Sequence, residues 1–143
     1  MRGVTEREHH VLVVAHRTAA TPPLLTEVRR RAQAAPCHIT LLVPRPYWDP
    51  DTEEAQLVIE LALPLLEEAA GQRVEALVGD SDPVEAVRRV LATTPVDEVI
   101  VSTLPQRVSH WLHRDVPARL SALGPAVTVV TAKQSARDLM PRD

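Results

Sequence analysis

The chain contains no phenylalanine, one tyrosine and two tryptophans, so its core must be assembled from aliphatic side chains rather than rings. Glycine is nearly as scarce, with four residues in all and none between Gly79 and Gly124. A phosphate-cradling turn needs residues without a Cβ, because only then can several backbone N–H groups crowd one anion. That glycine-free stretch therefore lacks the usual grip for a nucleotide phosphate. Cysteine occurs once, as Cys37, which excludes an internal disulfide and suits a reducing cytoplasm. Cys37 immediately precedes an apolar run, the place of an inert packing thiol rather than a reactive one. Lysine also occurs once, as Lys133, and the other fifteen basic residues are arginines. With a net charge of −3 and no basic run, the chain does not read as a nucleic-acid binder. No apolar run is long enough to span a membrane. Val11–Ala15, which follows the polar stretch Met1–His10, is also too short for a signal-peptide core.

What is present is an alternation. The 143 residues suit one domain, with a core over about 10–131 and an aperiodic tail over 132–143. Five short apolar runs read as strands: Val11–Ala15, His38–Val43, Arg73–Val78, Glu98–Ser102 and Ala126–Thr131. Four of them are nearly continuous in Val, Leu and Ile, the mark of strands covered on both faces. The third alternates Val74, Ala76 and Val78 with Arg73, Glu75 and Leu77, which places it at a sheet edge.

Helices fill the gaps. Thr21 caps the first, with Pro22 at its first position and Leu24, Leu25, Val28 and Ala32 on its apolar face. Asp51 caps the second, where Glu53 and Glu54 suit the dipole. Its core face is expected to be Leu57, Val58, Leu61 and Leu65, with a kink at Pro64 and a stop at Gly71. Asp82-Pro83-Val84-Glu85 is the clearest start signal, followed by Val84, Val87, Val90 and Leu91 at core spacing. A last helix is expected over Val116–Ala122. Strands alternating with helices at this spacing predict an α/β three-layer sandwich on a parallel sheet with right-handed crossovers.

In such sheets ligands bind beyond the carboxyl ends of the strands, so the post-strand loops are where chemistry would sit. All three of the Tyr and Trp residues fall there: Tyr47, Trp48 and Trp111. They can stack on a base or close the sheet ends as packing lids. His110 and His113 with Asp115 nearby do not make a zinc site, because convergent third and fourth ligands are lacking. No G-x-S-x-G elbow surrounds Ser109, which argues against a hydrolase triad. Asp80 and Asp82 could hold Mg²⁺, but Asp82 is better used as a helix cap.

The segments together resemble the universal stress protein family over roughly residues 10–131. The match rests on Val11-Leu12-Val13-Val14, Val78-Gly79-Asp80-Ser81-Asp82-Pro83, Asp97-Glu98-Val99-Ile100-Val101-Ser102-Thr103 and Gly124-Pro125-Ala126-Val127-Thr128-Val129-Val130. The resemblance implies a five-stranded, Rossmann-like adenine-nucleotide α-hydrolase-like sheet in the order 3-2-1-4-5. It also implies a homodimer through the last strand at Val127 and Val129, with ATP or AMP as ligand. The chain departs from the family's ATP pattern, an acid after the first strand and a G-x2-G-x9-G-[S/T] loop after the fourth. His16 or its neighbour replaces the acid, the first two loop glycines are absent near Ser102–Gln106, and Arg114-Asp115 stands where glycine and a hydroxyl residue are expected. Asp115 would repel phosphate there.

The expectation is a cytoplasmic stress-response or regulatory module without turnover and without the standard ATP site, open to a further protein partner. A ligand, if bound, would lie between the ends of the first and fourth strands. His16, Arg17 and Thr18 would form one side, with Ser102, Thr103, Arg107, Ser109 and Arg114 on the other. Val43 would lie beside it, and Gly79 and Asp80 would close the third wall. The alternatives are a nucleotide sensor in which Arg107 and Arg114 replace the glycine cradle, and an enzyme of the wider superfamily, which would need a phosphate loop and a general base.

Overall fold

A computed structural model of the chain describes residues 9–16, 18–49, 51–103 and 116–131. Five strands, β1 (His9–Val14), β2 (Cys37–Pro44), β3 (Glu75–Gly79), β4 (Glu98–Thr103) and β5 (Ala126–Thr131), form one sheet in the order β3-β2-β1-β4-β5. Every pairing is parallel, and Val11 lies opposite Ile39 of β2 and Glu98 of β4. The crossovers carry α1 (Pro22–Ala34), α2 (Glu53–Ala70), α3 (Pro83–Thr93) and α4 (Val116–Ser121).

The continuous apolar runs are explained by two cores, one on each face of the sheet. Val11, Val13, Ile39, Leu41 and Ile100 point to the side of α1 and α2, where Leu24, Val28 and Leu66 meet them. Leu12, Val14, Leu42, Val99 and Val101 point the other way, against Val84 and Val87 of α3 and Val116 and Leu120 of α4. Since successive strand residues face opposite sides, a strand buried twice has no polar position to give. A fully buried leucine such as Leu12 contributes about 1.5–3 kcal/mol relative to leaving it in water. β3 lies at the edge, as its alternation foretells, and its side chains are only partly covered.

The helix starts differ: at α1 Thr21 stands at the cap position, but its side chain makes no capping bond, because its hydroxyl turns back to the Thr18 carbonyl. At α3 the Asp82 carboxylate accepts the Val84 N–H at 3.0 Å, the cap expected from the sequence. At α2 the cap is neither Asp51 nor the flanking Thr52, which stands in the left-handed region at φ 63° and makes no capping bond. Asp49 reaches forward instead, accepting the Ala55 N–H at 3.1 Å, and is itself buried. α2 then runs unbroken through Pro64 and stops at Gly71, whose φ of 70° and N–H bond to the Glu67 carbonyl form the left-handed terminus.

The core face of α2 is the principal departure from expectation. Leu57, Leu61 and Leu65, which share one stripe, point to solvent. The buried residues are Ala55, Ala62, Leu66, Ala69 and Ala70, with Val58 and Ile59 half-buried beside them. Apolar residues occupy so much of this helix that its periodicity admits two faces. The sheet and α1 take the face carrying alanines, because small side chains let the helix backbone approach closely.

Candidate functional site

The carboxyl ends of β1 and β4 lie side by side, and three of the residues expected to line a ligand meet there. The Ser102 hydroxyl donates to Thr18 Oγ1 at 2.8 Å and lies 3.5 Å from the Thr18 carbonyl. Both residues are buried. That carbonyl also accepts from the Thr21 hydroxyl at 3.1 Å and the Thr21 N–H at 3.3 Å, winding the β1–α1 turn into a compact knot. Thr103 is buried at the end of β4.

His16, the residue standing where an acid is expected, lies at the rim. Its Nε2 is 3.6 Å from Glu54 Oε2, and the other oxygen of Glu54 accepts the Trp48 indole N–H at 3.1 Å. The structure thus brings an acid to the end of β1 from the first turn of α2. Read from the sequence alone, that acid has only a helix-dipole role. Its contact with His16 spans two crossovers, so no local pattern announces it.

Val43 does not offer a surface: it is fully buried in the core beneath α1 and α2. Gly79 and Asp80 lie two strands from β1 at the end of the edge strand, where Gly79 pairs with Pro44 and accepts the Arg45 N–H at 3.0 Å. A Cβ on Gly79 would stand 2.8 Å from both Ala86 Cβ and Leu42 Cδ1, so this glycine lets α3 press onto the sheet. The Asp80 carboxylate is held below its ordinary pKa chiefly by the Asp82 N–H, against partial desolvation, with Arg89 and Arg45 assisting. Arg17, Arg107, Ser109 and Arg114 lie outside the described residues, as does Trp111.

Gly79 and Asp80 line a different hollow, an open groove of about 560 Å³ between α3 and the outer strands. Its floor includes His10 and Thr40, both buried, and its far wall carries His38, Glu75 and Leu77. The His10 ring donates through Nδ1 to the Pro95 carbonyl at 2.8 Å, so the neutral ring accepts the Thr40 hydroxyl at Nε2, at 2.9 Å. Burial lowers the His10 pKa, opposed by the Pro95 carbonyl and reinforced by His38, whose ring meets it edge-on at 4.7 Å. His38 Nε2 in turn lies 3.3 Å from Glu75. This cluster lies outside the site residues expected from the sequence. Its one available signal was a histidine at the head of each of two runs that prove to be adjacent strands in register, His10 opposite His38.

At the amino end of β4, Arg31 of α1 bonds Glu98, and the Arg31 Nη2 lies 2.7 Å from Glu27. Desolvation raises the Glu98 pKa, but the bonds from Arg31 and His9 outweigh it and leave the carboxyl below its usual range. Among the described residues no group of three or more His, Cys, Asp or Glu side chains could hold a metal ion. Nor is any of the described helices long and apolar enough to cross a membrane.

No protein-family model matches the sequence, and no curated protein matches it. Solved structures do match. A universal stress protein in complex with cAMP superposes with a TM-score of 0.64 at 16% identity, over 90% of this chain and all of the other. A universal stress protein from Archaeoglobus fulgidus gives 0.58 at 12% identity, over 85% of this chain and 93% of that one. The universal stress protein from A. fulgidus in complex with dAMP gives 0.52 at 14% identity, over 89% and 98%. At such identities the agreement lies in strand order and helix placement. This chain has the fold of the universal stress proteins.

Proposed function

We propose that the chain is a regulatory module of the universal-stress type, acting by binding rather than turnover, in the cytoplasm and as a dimer through β5. The observation that carries this reading is the Ser102–Thr18 hydrogen bond across the ends of β1 and β4. The Ser102 hydroxyl is spent on Thr18, and among the described residues no hydrogen bond joins either hydroxyl to a carboxylate or imidazole that would activate it. The dimer rests on the edge position of β5, where Val129 is 40% exposed on a terminal strand. An apolar strand edge favours pairing with a second strand.

A second reading, an AMP-class nucleotide sensor, is favoured by one observation: two of the similar structures hold cAMP and dAMP. In this chain Arg107 and Arg114 would supply the charge that a glycine cradle supplies elsewhere. Calorimetric titration of the full chain with AMP, cAMP and Mg-ATP, with Trp fluorescence followed in parallel, separates the two. No saturable heat at millimolar nucleotide is the outcome expected of the module. Saturable binding that weakens in Arg107→Ala or Arg114→Ala would establish the sensor instead. Phosphate release from ATP above the protein-free blank would refute both.

A further inference from the structure

The exposed stripe on α2 is used by neither the fold nor the crevice. Leu57, Leu61 and Leu65 are 52%, 68% and 44% exposed, and Pro64 between them is exposed as well. At 1.5 Å per residue the three leucines extend over roughly 12 Å of helix. Ahead of the helix, Trp48 is also 54% exposed and is held to the first turn of α2 by its bond to Glu54. Scattered apolar residues on a surface mean little. A contiguous row of them, on a helix whose opposite side already satisfies the core, marks an interaction surface.

The charges on the helix identify the occupant. α2 carries five glutamates and no lysine or arginine. Glu54 is engaged with Trp48, and Glu67 accepts the Val74 N–H at 3.1 Å. Glu53, Glu60 and Glu68 are exposed, and helical geometry sets them among and alongside the leucines. We infer that this stripe docks a basic amphipathic helix of a partner protein, with leucine-like side chains against Leu57, Leu61 and Leu65 and Lys or Arg against Glu53, Glu60 and Glu68. A second copy of α2 satisfies the apolar row, but it brings a second all-acidic helix to the same seam with no cation on either. An anionic lipid surface is repelled for the same reason, since helices that lie on such surfaces carry basic flanks.

The test uses three labelled helical peptides matched in length to the 18 residues of α2. One has a leucine stripe with lysine flanks, one the same stripe with glutamate flanks, and one lysine flanks with serines replacing the leucines. Anisotropy with the full-length protein should show saturable one-to-one binding of the first, tighter than either of the others by roughly tenfold or more. The triple variant Leu57→Ser, Leu61→Ser, Leu65→Ser should lose that binding while still melting cooperatively, with only the small fall in melting temperature that the poorer helix propensity of serine brings. Glu60→Lys should weaken the lysine-flanked peptide and leave the melting temperature unchanged. Equal binding of the acidic peptide, or binding that survives the triple variant, overturns the inference. So does concentration-dependent self-association, seen by sedimentation, that the triple variant abolishes, because the occupant is then a second copy.

Discussion

Replacing Gly79 by alanine should destabilise the protein, although the residue is half-buried and its backbone is not in the left-handed region. The added Cβ would stand 2.8 Å from Ala86 Cβ and 2.8 Å from Leu42 Cδ1. Real Cβ contacts do not occur at that distance, so something must move. Leu42 is fully buried against Val84 and Val87 and has little room to change rotamer. Ala86 is attached directly to the backbone of α3, so relief on that side requires the helix to shift. Overpacking of this kind costs about 1–3 kcal/mol. For a domain of this size that corresponds to a fall in Tm of roughly 3–12 °C. The assay is a thermal or urea melt of Gly79→Ala beside Ala86→Gly and the double variant. Ala86→Gly alone loses about 1 kcal/mol of helix propensity. If the Cβ–Cβ clash is the cause, the double variant is less destabilised than the sum of the two singles by about 0.5 kcal/mol or more. A Tm for Gly79→Ala within about 1 °C of the parent would refute the packing argument.

Other consequences are equally direct. Ser102→Ala removes the donor to Thr18 Oγ1 and should cost about 1 kcal/mol in urea denaturation, and Thr18→Val, which leaves the buried Ser102 hydroxyl only its long 3.5 Å contact with the Thr18 carbonyl, about 1–3 kcal/mol. Leu66→Ala in the core should cost about 2–5 kcal/mol, whereas Leu61→Ser on the exposed stripe should stay within about 0.5 kcal/mol. Reversal of that order would mean that the sequence-expected face of α2 is the packed one. Because the folded-state pKa of His10 lies below its ordinary 6.5, the unfolded chain binds the proton more readily. Stability from this site is therefore complete above about pH 6.5 and declines as pH falls from there towards the lowered folded value. Urea midpoints between pH 8 and pH 5 should show the decline, and His10→Gln should flatten it; the carboxylates Asp80 and Glu98, also lowered, act only in the more acidic range. If the chain pairs through β5 as proposed, Val129→Lys at the outer strand should shift sedimentation from dimer to monomer and remove the concentration dependence of the Tm.

Strand and helix identity were legible because they depend on local chemistry. Runs such as Val11-Leu12-Val13-Val14 can be satisfied only by cover on both faces, and Asp82-Pro83 can open a helix without outside help. The parallel sheet and the edge position of β3 follow from the same pattern. Three features were decided elsewhere. α2 had apolar residues for two faces, and only the approach of α1 and the sheet selected the one bearing alanines, leaving Leu57, Leu61 and Leu65 in water. Asp49 displaced Asp51 as the cap of α2 because the turn before the helix folds back on it. The polar assemblies, His16 with Glu54 and Trp48, Ser102 with Thr18, and His10 with Thr40 and His38, join residues from different crossovers or strands. Periodicity and capping act within one turn of chain, so the sequence by itself determined the elements and their order. Which side chains face one another depends on register and on the direction of approach of each layer, and only the tertiary structure decided that.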